Sequence, residues 1–109
     1  MSGSDLFTGT LDILVLRTVQ HGPLHGYAIG KAIREGSEGV LAVEEGALYP
    51  ALHRLERRGL LESQWGRTDS GRRAKFYRVT SEGSGHLSAE AARWAEFSDA
   101  VTSILGGGG

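Results

Sequence analysis

GALYPALHRLERRGLLESQWGRTDSGRRAKFYR, residues 46–78, decides the fold. Leu48, Leu52 and Leu55 recur at i, i+4 and i+7, which puts an apolar stripe on one face of a helix and leaves Tyr49, His53, Arg54, Arg57 and Arg58 on the remaining surface. Gly59 offers a residue that can pass through positive φ where this helix should stop, and Leu60 to Trp65 supplies a short strand rich in large apolar side chains. Arg67, Thr68, Asp69, Ser70 and Gly71 are turn formers between that strand and a second one, Arg72 to Val79. The stretch is predicted to be a helix followed by a basic β-hairpin.

Charge suggests a partner for that unit. Between Ala47 and Arg78 eight bases stand against three acids, while the rest of the chain carries four bases and ten acids, so a net charge of −1 hides a polarised molecule. A solvated charged face is the ordinary fate of a charge run. Here the bases alternate with Phe76 and Tyr77 on a hairpin beside a surface helix, and duplex phosphate is the natural partner for such a patch.

At 109 residues the chain is expected to be one domain with a modest core, for which help from a partner subunit would be unsurprising. Cysteine is absent, which rules out disulfides and thiolate metal sites and fits a reducing cytosol. No apolar run approaches the roughly 20 residues that span a bilayer, and Met1 to Asp5 lacks the basic start of a signal peptide, so a cytoplasmic protein without membrane contact is expected. His21, His25, His53 and His86 are scattered, and Gly83-Ser84-Gly85 lacks the lysine and the strand-to-helix context of a phosphate loop. No catalytic residue, metal or cofactor is assigned.

Upstream, Leu11, Leu14, Val15 and Val19 share one helical face, widened by Ile13 and Leu16, and Gly22-Pro23 closes that helix. Leu24-His25-Gly26 reads as a tight connection into a second helix carrying Ala28, Ile29, Ala32 and Ile33, which ends near Gly36 or Gly39. Val40 to Val43 is an apolar run of strand length, predicted to pair beside the hairpin. Glu44 and Glu45 then lead into the third helix, with Pro50 expected in its first turn.

This order of elements is that of a winged helix-turn-helix, a mainly α fold with a small β-hairpin (α+β), spanning residues 1–79. Its third helix would enter the major groove, with Tyr49, Pro50, His53 and Arg54 near base edges and Arg72, Arg73 and Lys75 reaching phosphate or the minor groove from the wing. For Tyr49 a ring half-buried against the hairpin is the alternative.

Residues 80–105 read as a final helix, capped by Thr80 or Ser81, with Glu82 in its first turn. Leu87, Ala91, Trp94, Val101 and Leu105 follow heptad-like steps, and Phe97 and Ile104 widen the seam. A helix of about 26 residues is roughly 39 Å long, more than so small a domain covers alone. These seven residues are therefore assigned to a dimer interface, with folding back on the own domain as the alternative. A twofold dimer would set two recognition helices about one DNA turn, roughly 34 Å, apart. The terminal glycines, residues 106–109, read as a disordered tail.

Leu24-His25-Gly26-Tyr27, the run Glu45 to Glu56 and the run Gly71 to Thr80 together resemble the PadR family of transcriptional regulators, specifically its compact subfamily with a single C-terminal dimerisation helix. The resemblance spans nearly the whole chain. It implies a cytoplasmic homodimer that binds double-stranded DNA at palindromic operators and represses transcription, commonly of detoxification or efflux genes. It also implies a phosphate contact from Tyr27 on the second helix, with Lys31 on the same helix added to the DNA-facing set. Many members carry Ser or Thr where this chain has Ala47, so one capping or DNA-touching hydroxyl is missing. Trp94, with Phe97 beside it, is placed similarly to tryptophans between which some multidrug-responsive relatives stack flat aromatic ligands. A small aromatic or hydrophobic effector is the implied partner there, with plain interface core as the alternative. The rival to the whole reading is an interaction module whose basic face binds an acidic protein surface or structured RNA.

Overall fold

The computed structural model describes the backbone of residues 3–106 and the side chains of residues 9–106. Four helices and a small sheet follow in the order α1 (Gly3–Thr18), β1 (Leu24–His25), α2 (Gly26–Gly36), α3 (Glu45–Arg57), β2 (Leu61–Arg67), β3 (Arg73–Val79) and α4 (Ser81–Leu105). The sheet is antiparallel with strand order β1-β3-β2. No helix among the described residues is long and apolar enough to cross a membrane.

The core lies where α1, α2 and α3 meet the sheet. Val15, Leu16 and Val19 come from α1 and the turn after it, Ile29 and Ile33 from α2, and Leu48, Leu52 and Leu55 from α3. Leu61 and Tyr77 close it from the sheet side, and each fully buried leucine contributes about 2 kcal/mol relative to exposure. Leu16, at the edge of the sequence stripe, sits at its centre with no exposed surface.

The stop after α3 is the one expected. Gly59 has φ +74°, Leu60 N donates to the Leu55 carbonyl at 3.0 Å and Gly59 N to that of Glu56 at 3.0 Å, a paired closure that satisfies the last carbonyls and delivers the chain into β2. Leu60 belongs to this closure, so β2 starts one residue later than expected and runs on to Arg67.

Three further placements differ from the sequence reading. Val40 to Val43 is not a strand. The third strand is β1, where Leu24 pairs with Tyr77 and His25 with Phe76, because the α1–α2 connection is the segment that lies along the free edge of β3. Val40 is 81% exposed, so local strand propensity had no partner edge to act on. Pro50 is in the second turn of α3, since the helix begins at Glu45 with Glu44 as N-cap. Leu87, the first seam residue, is only 2% exposed and belongs to the core of its own chain.

Helix α4 docks through its first turns. Thr80 Oγ1 accepts from Gly83 N at 3.0 Å and donates to the Gly59 carbonyl at 2.7 Å, while Thr80 N donates to the Leu60 carbonyl at 3.1 Å. This confirms Thr80 as the cap and ties α4 to the turn that ends α3. Beyond Leu87 the helix packs on α1 and leaves Trp94, Phe97, Val101, Ile104 and Leu105 exposed, with Ala91 partly covered. Gly106, at φ +76°, caps α4; the rest of the expected tail, residues 107–109, lies outside the described residues.

Candidate nucleic-acid interface

Three elements converge on one side of the molecule: the start of α2, the outer face of α3 and the hairpin of β2 and β3. Because Leu48, Leu52 and Leu55 are drawn into the core, α3 turns Pro50, His53 and Arg57 outward at i, i+3 and i+7. All three are exposed and line one shallow depression. Arg57, which the sequence reading left out of the contact set, has no ion-pair partner among the described residues.

Thr68 N donates to the Arg72 carbonyl at 2.8 Å and Gly71 N to that of Thr68 at 2.8 Å, with Gly71 at φ +87°, so the wing tip is a tight, hydrogen-bonded loop. Arg72 is exposed at this tip. The Arg73 guanidinium lies 4.5 Å from the centroid of the Trp65 ring, a cation–π contact that orients it across the strand pair. Trp65 was not singled out by sequence, although its position next to Gly66-Arg67 in an otherwise basic hairpin was a usable signal.

Between the wing and the start of α2 lies an open cleft of about 750 Å³, whose walls include Tyr27, Tyr49, Trp65, Arg72 and Arg73. Tyr27 is 68% exposed there, stacked beside His25 with ring centroids 6.3 Å apart. Tyr49 is pinned: a Cβ on Gly26 would lie 2.8 Å from its Cε1, so the glycine at the start of α2 makes room for the ring. Lys31 is exposed one turn further along α2. Tyr77, at the cleft floor, has its phenol held above the ordinary value of 10.0 by burial first, then by the charge of Glu56 and by Tyr49.

Acids of the same chain engage four of the eight bases between Ala47 and Arg78. Arg54 Nη2 is 2.6 Å from Oδ1 of Asp12 on α1, a carboxylate only 7% exposed, and Arg58 Nη1 is 3.9 Å from Oδ2 of the same group. Lys75 Nζ lies 3.6 Å from Glu56 Oε1, and Arg78 pairs with Glu62 across the hairpin. Of the residues expected to face DNA, Arg54 and Lys75 are therefore engaged inside the chain, whereas Tyr27, Lys31, Pro50, His53, Arg72 and Arg73 are open or at the cleft rim. Asp12 was missed because its partners are remote in sequence. No cluster of potential metal ligands occurs among the described residues.

A three-helix body, a three-stranded sheet with a basic wing and a third helix whose polar face is open define a winged helix-turn-helix, the class of fold that reads duplex DNA with a helix and steadies it with a wing. Residues 15–89 match the model of the transcriptional regulator PadR-like family, and the chain belongs to that family. A transcriptional regulator from Clostridium thermocellum superposes with a TM-score of 0.82 at 28% identity, covering 96% of this chain and 99% of that one. A PadR family transcriptional regulator from Eggerthella lenta is 36% identical, with a TM-score of 0.76 and coverage of 94% and 87%. A Lysinibacillus sphaericus sequence called "Uncharacterized protein X" is 31% identical over 107 residues, 98% of either chain. The chain is thus a PadR-family transcriptional regulator, and its fold includes the long C-terminal helix expected of the compact members.

Proposed function

We propose that the protein is a homodimeric repressor that binds a palindromic DNA operator through α3 and the wing. The observation that carries this reading is the coincidence, on one molecule, of an exposed face of α3 bearing Pro50, His53 and Arg57 with an uncovered apolar stripe on α4. Phe97 and Val101 are four residues apart and Trp94, Val101 and Leu105 keep the alternating spacing of a seam, so a second copy supplies the missing cover. Ala91 and Ile104 flank that stripe, whereas Leu87 supports it from inside its own chain. Twofold symmetry then places two α3 helices on the same side of the duplex.

Within each half-site His53 and Arg57 face base edges, with Pro50 setting how closely the backbone approaches. Arg72 and Arg73 contact phosphate or the minor groove, and Tyr27, Tyr49 and Lys31 flank the strand on the other side. Arg73→Ala is expected to weaken binding to every duplex and to reduce the salt slope by about one, whereas His53→Ala shifts preference among operator variants by about 1–3 kcal/mol at one position. Anisotropy titrations over a salt series separate the two. Equal losses on all sequences in both variants would remove His53 as a reader.

Relief of repression is assigned to a flat aromatic or hydrophobic effector stacked between the Trp94 and Phe97 side chains of the two copies. The shallow pocket beside these rings, between α1 and α4, is about 240 Å³ within one chain, smaller than the usual ligand cavity, so the partner copy is needed to complete it. In a Trp65→Phe background, an aromatic dye that releases operator should quench Trp94 emission in step. Release without quenching would place the effector elsewhere.

A further inference from the structure

Glu56 stands between the two elements that would read DNA. It lies near the end of α3 with a side chain 31% exposed, and its two oxygens are engaged by different strands. Oε2 accepts from Ser63 Oγ of β2 at 2.5 Å, and Oε1 lies 3.6 Å from Lys75 Nζ of β3. Ser63 pairs with Tyr77, and Trp65 with Lys75, so Ser63 and Lys75 project from the same face of the hairpin, the face that turns the buried Tyr77 inward toward the core. One carboxylate thus grips both strands of the wing from the recognition helix.

We propose that Glu56 is a positioning and specificity-determining residue, which fixes the wing against α3 and withholds Lys75 from DNA phosphate. A partly exposed pair of this kind adds little to stability, so its consequence lies in placement. The wing can only support α3 in the right groove if the two elements keep one separation, and phosphate contacts set register without carrying sequence. A lysine released from Glu56 adds a phosphate contact that needs no particular register, so random duplex gains more from it than an operator on which α3 already fixes the register. Holding it back lowers general affinity more than operator affinity, and thereby raises the ratio between them. The inference rests on the duplex-DNA reading above.

The test is a salt series of binding titrations on an enriched operator and on random duplex, with full-length wild type, Glu56→Gln, Lys75→Met, the double variant and Ser63→Ala, all confirmed folded by thermal unfolding. Glutamine can still accept from Ser63 but carries no charge. Glu56→Gln is expected to steepen the salt slope by about 0.9 and to raise random-duplex affinity several-fold at low salt, with a smaller operator-to-random ratio. Lys75→Met alone leaves the slope at the wild-type value, and the double variant loses the gain. Ser63→Ala lowers the ratio at unchanged slope. A wild-type slope and ratio in Glu56→Gln, or a slope flattened by Lys75→Met alone, would overturn the proposal. Failure of the wild type to prefer any operator would instead overturn the DNA reading itself.

Discussion

Gly83→Ala is expected to destabilise the protein by about 3 kcal/mol or more, enough to lower the melting temperature of a domain this size by roughly 15 °C. A Cβ at this position would lie 2.1 Å from the Leu60 carbonyl oxygen and 2.7 Å from Val79 Cγ2. The oxygen is main chain and already accepts from Thr80 N at 3.1 Å, so it cannot swing aside without breaking the bond that ties the start of α4 to the turn after α3. Relief requires α4 to lift off, which draws Leu87 out of the core. Gly85→Ala is the internal control: it lies in the same helix with nothing within 4 Å of a Cβ, and it should raise stability by about 1 kcal/mol through helix propensity. Thermal unfolding of both variants decides the matter. Equal melting temperatures would mean that α4 does not approach the α3–β2 turn as closely as described.

Asp12→Ala should cost about 2 kcal/mol by denaturant unfolding. Removing one member of a buried ion pair leaves the other charge uncompensated, a loss of about 3–5 kcal/mol when both are fully buried. Here the Arg54 side chain is 33% exposed, so water can replace part of what Asp12 provides and the cost is correspondingly smaller. Arg54 Nε is buried without a hydrogen-bond partner among the described residues, which makes the Nη2 bond to Asp12 the contact that compensates this guanidinium. Replacing Asp12 and Arg54 together by leucine should recover most of the loss, because the charge that remains, Arg58, is 48% exposed and stays solvated. A double variant no better than Asp12→Ala would show that packing of α1 on α3, and not the ion pair, sets the stability of this contact.

Much of the scaffold was legible because its signals are local. The spacing of Leu48, Leu52 and Leu55 placed α3, Gly59 marked its end, and Thr80 before Glu82 marked the start of α4. β1 was not legible: two residues have no periodicity, and which segment lies along β3 is settled by the three-dimensional path of the α1–α2 connection. Val40 to Val43 carried the better strand signal and formed none. Pro50 misled because helix boundaries are soft and proline is commonest in the first turn.

The candidate interface was legible in outline and misread in charge. A linear count of bases locates the patch but cannot tell which acids fold against it. Asp12 meets Arg54 across 42 positions of sequence, and the Glu56 carboxylate reaches β2 and β3 only once the hairpin has closed. Arg57, exposed on the same face as His53, is the base that α3 leaves open where Arg54 is engaged by Asp12. Gly83 stands out in the sequence only as part of a triplet that lacks the context of a phosphate loop, yet a glycine in the first turn of a long helix is itself a sign of close approach.

Selection of the purified protein against a random duplex pool at near-physiological salt tests sequence-specific dimeric recognition most directly. Enrichment of a palindrome with half-sites about 10 base pairs apart, bound about a thousand-fold or more above random duplex, is the predicted result. Salt-sensitive binding to all duplexes alike, with no enriched sequence, would contradict operator recognition and favour an interaction module that uses the same basic face for another partner.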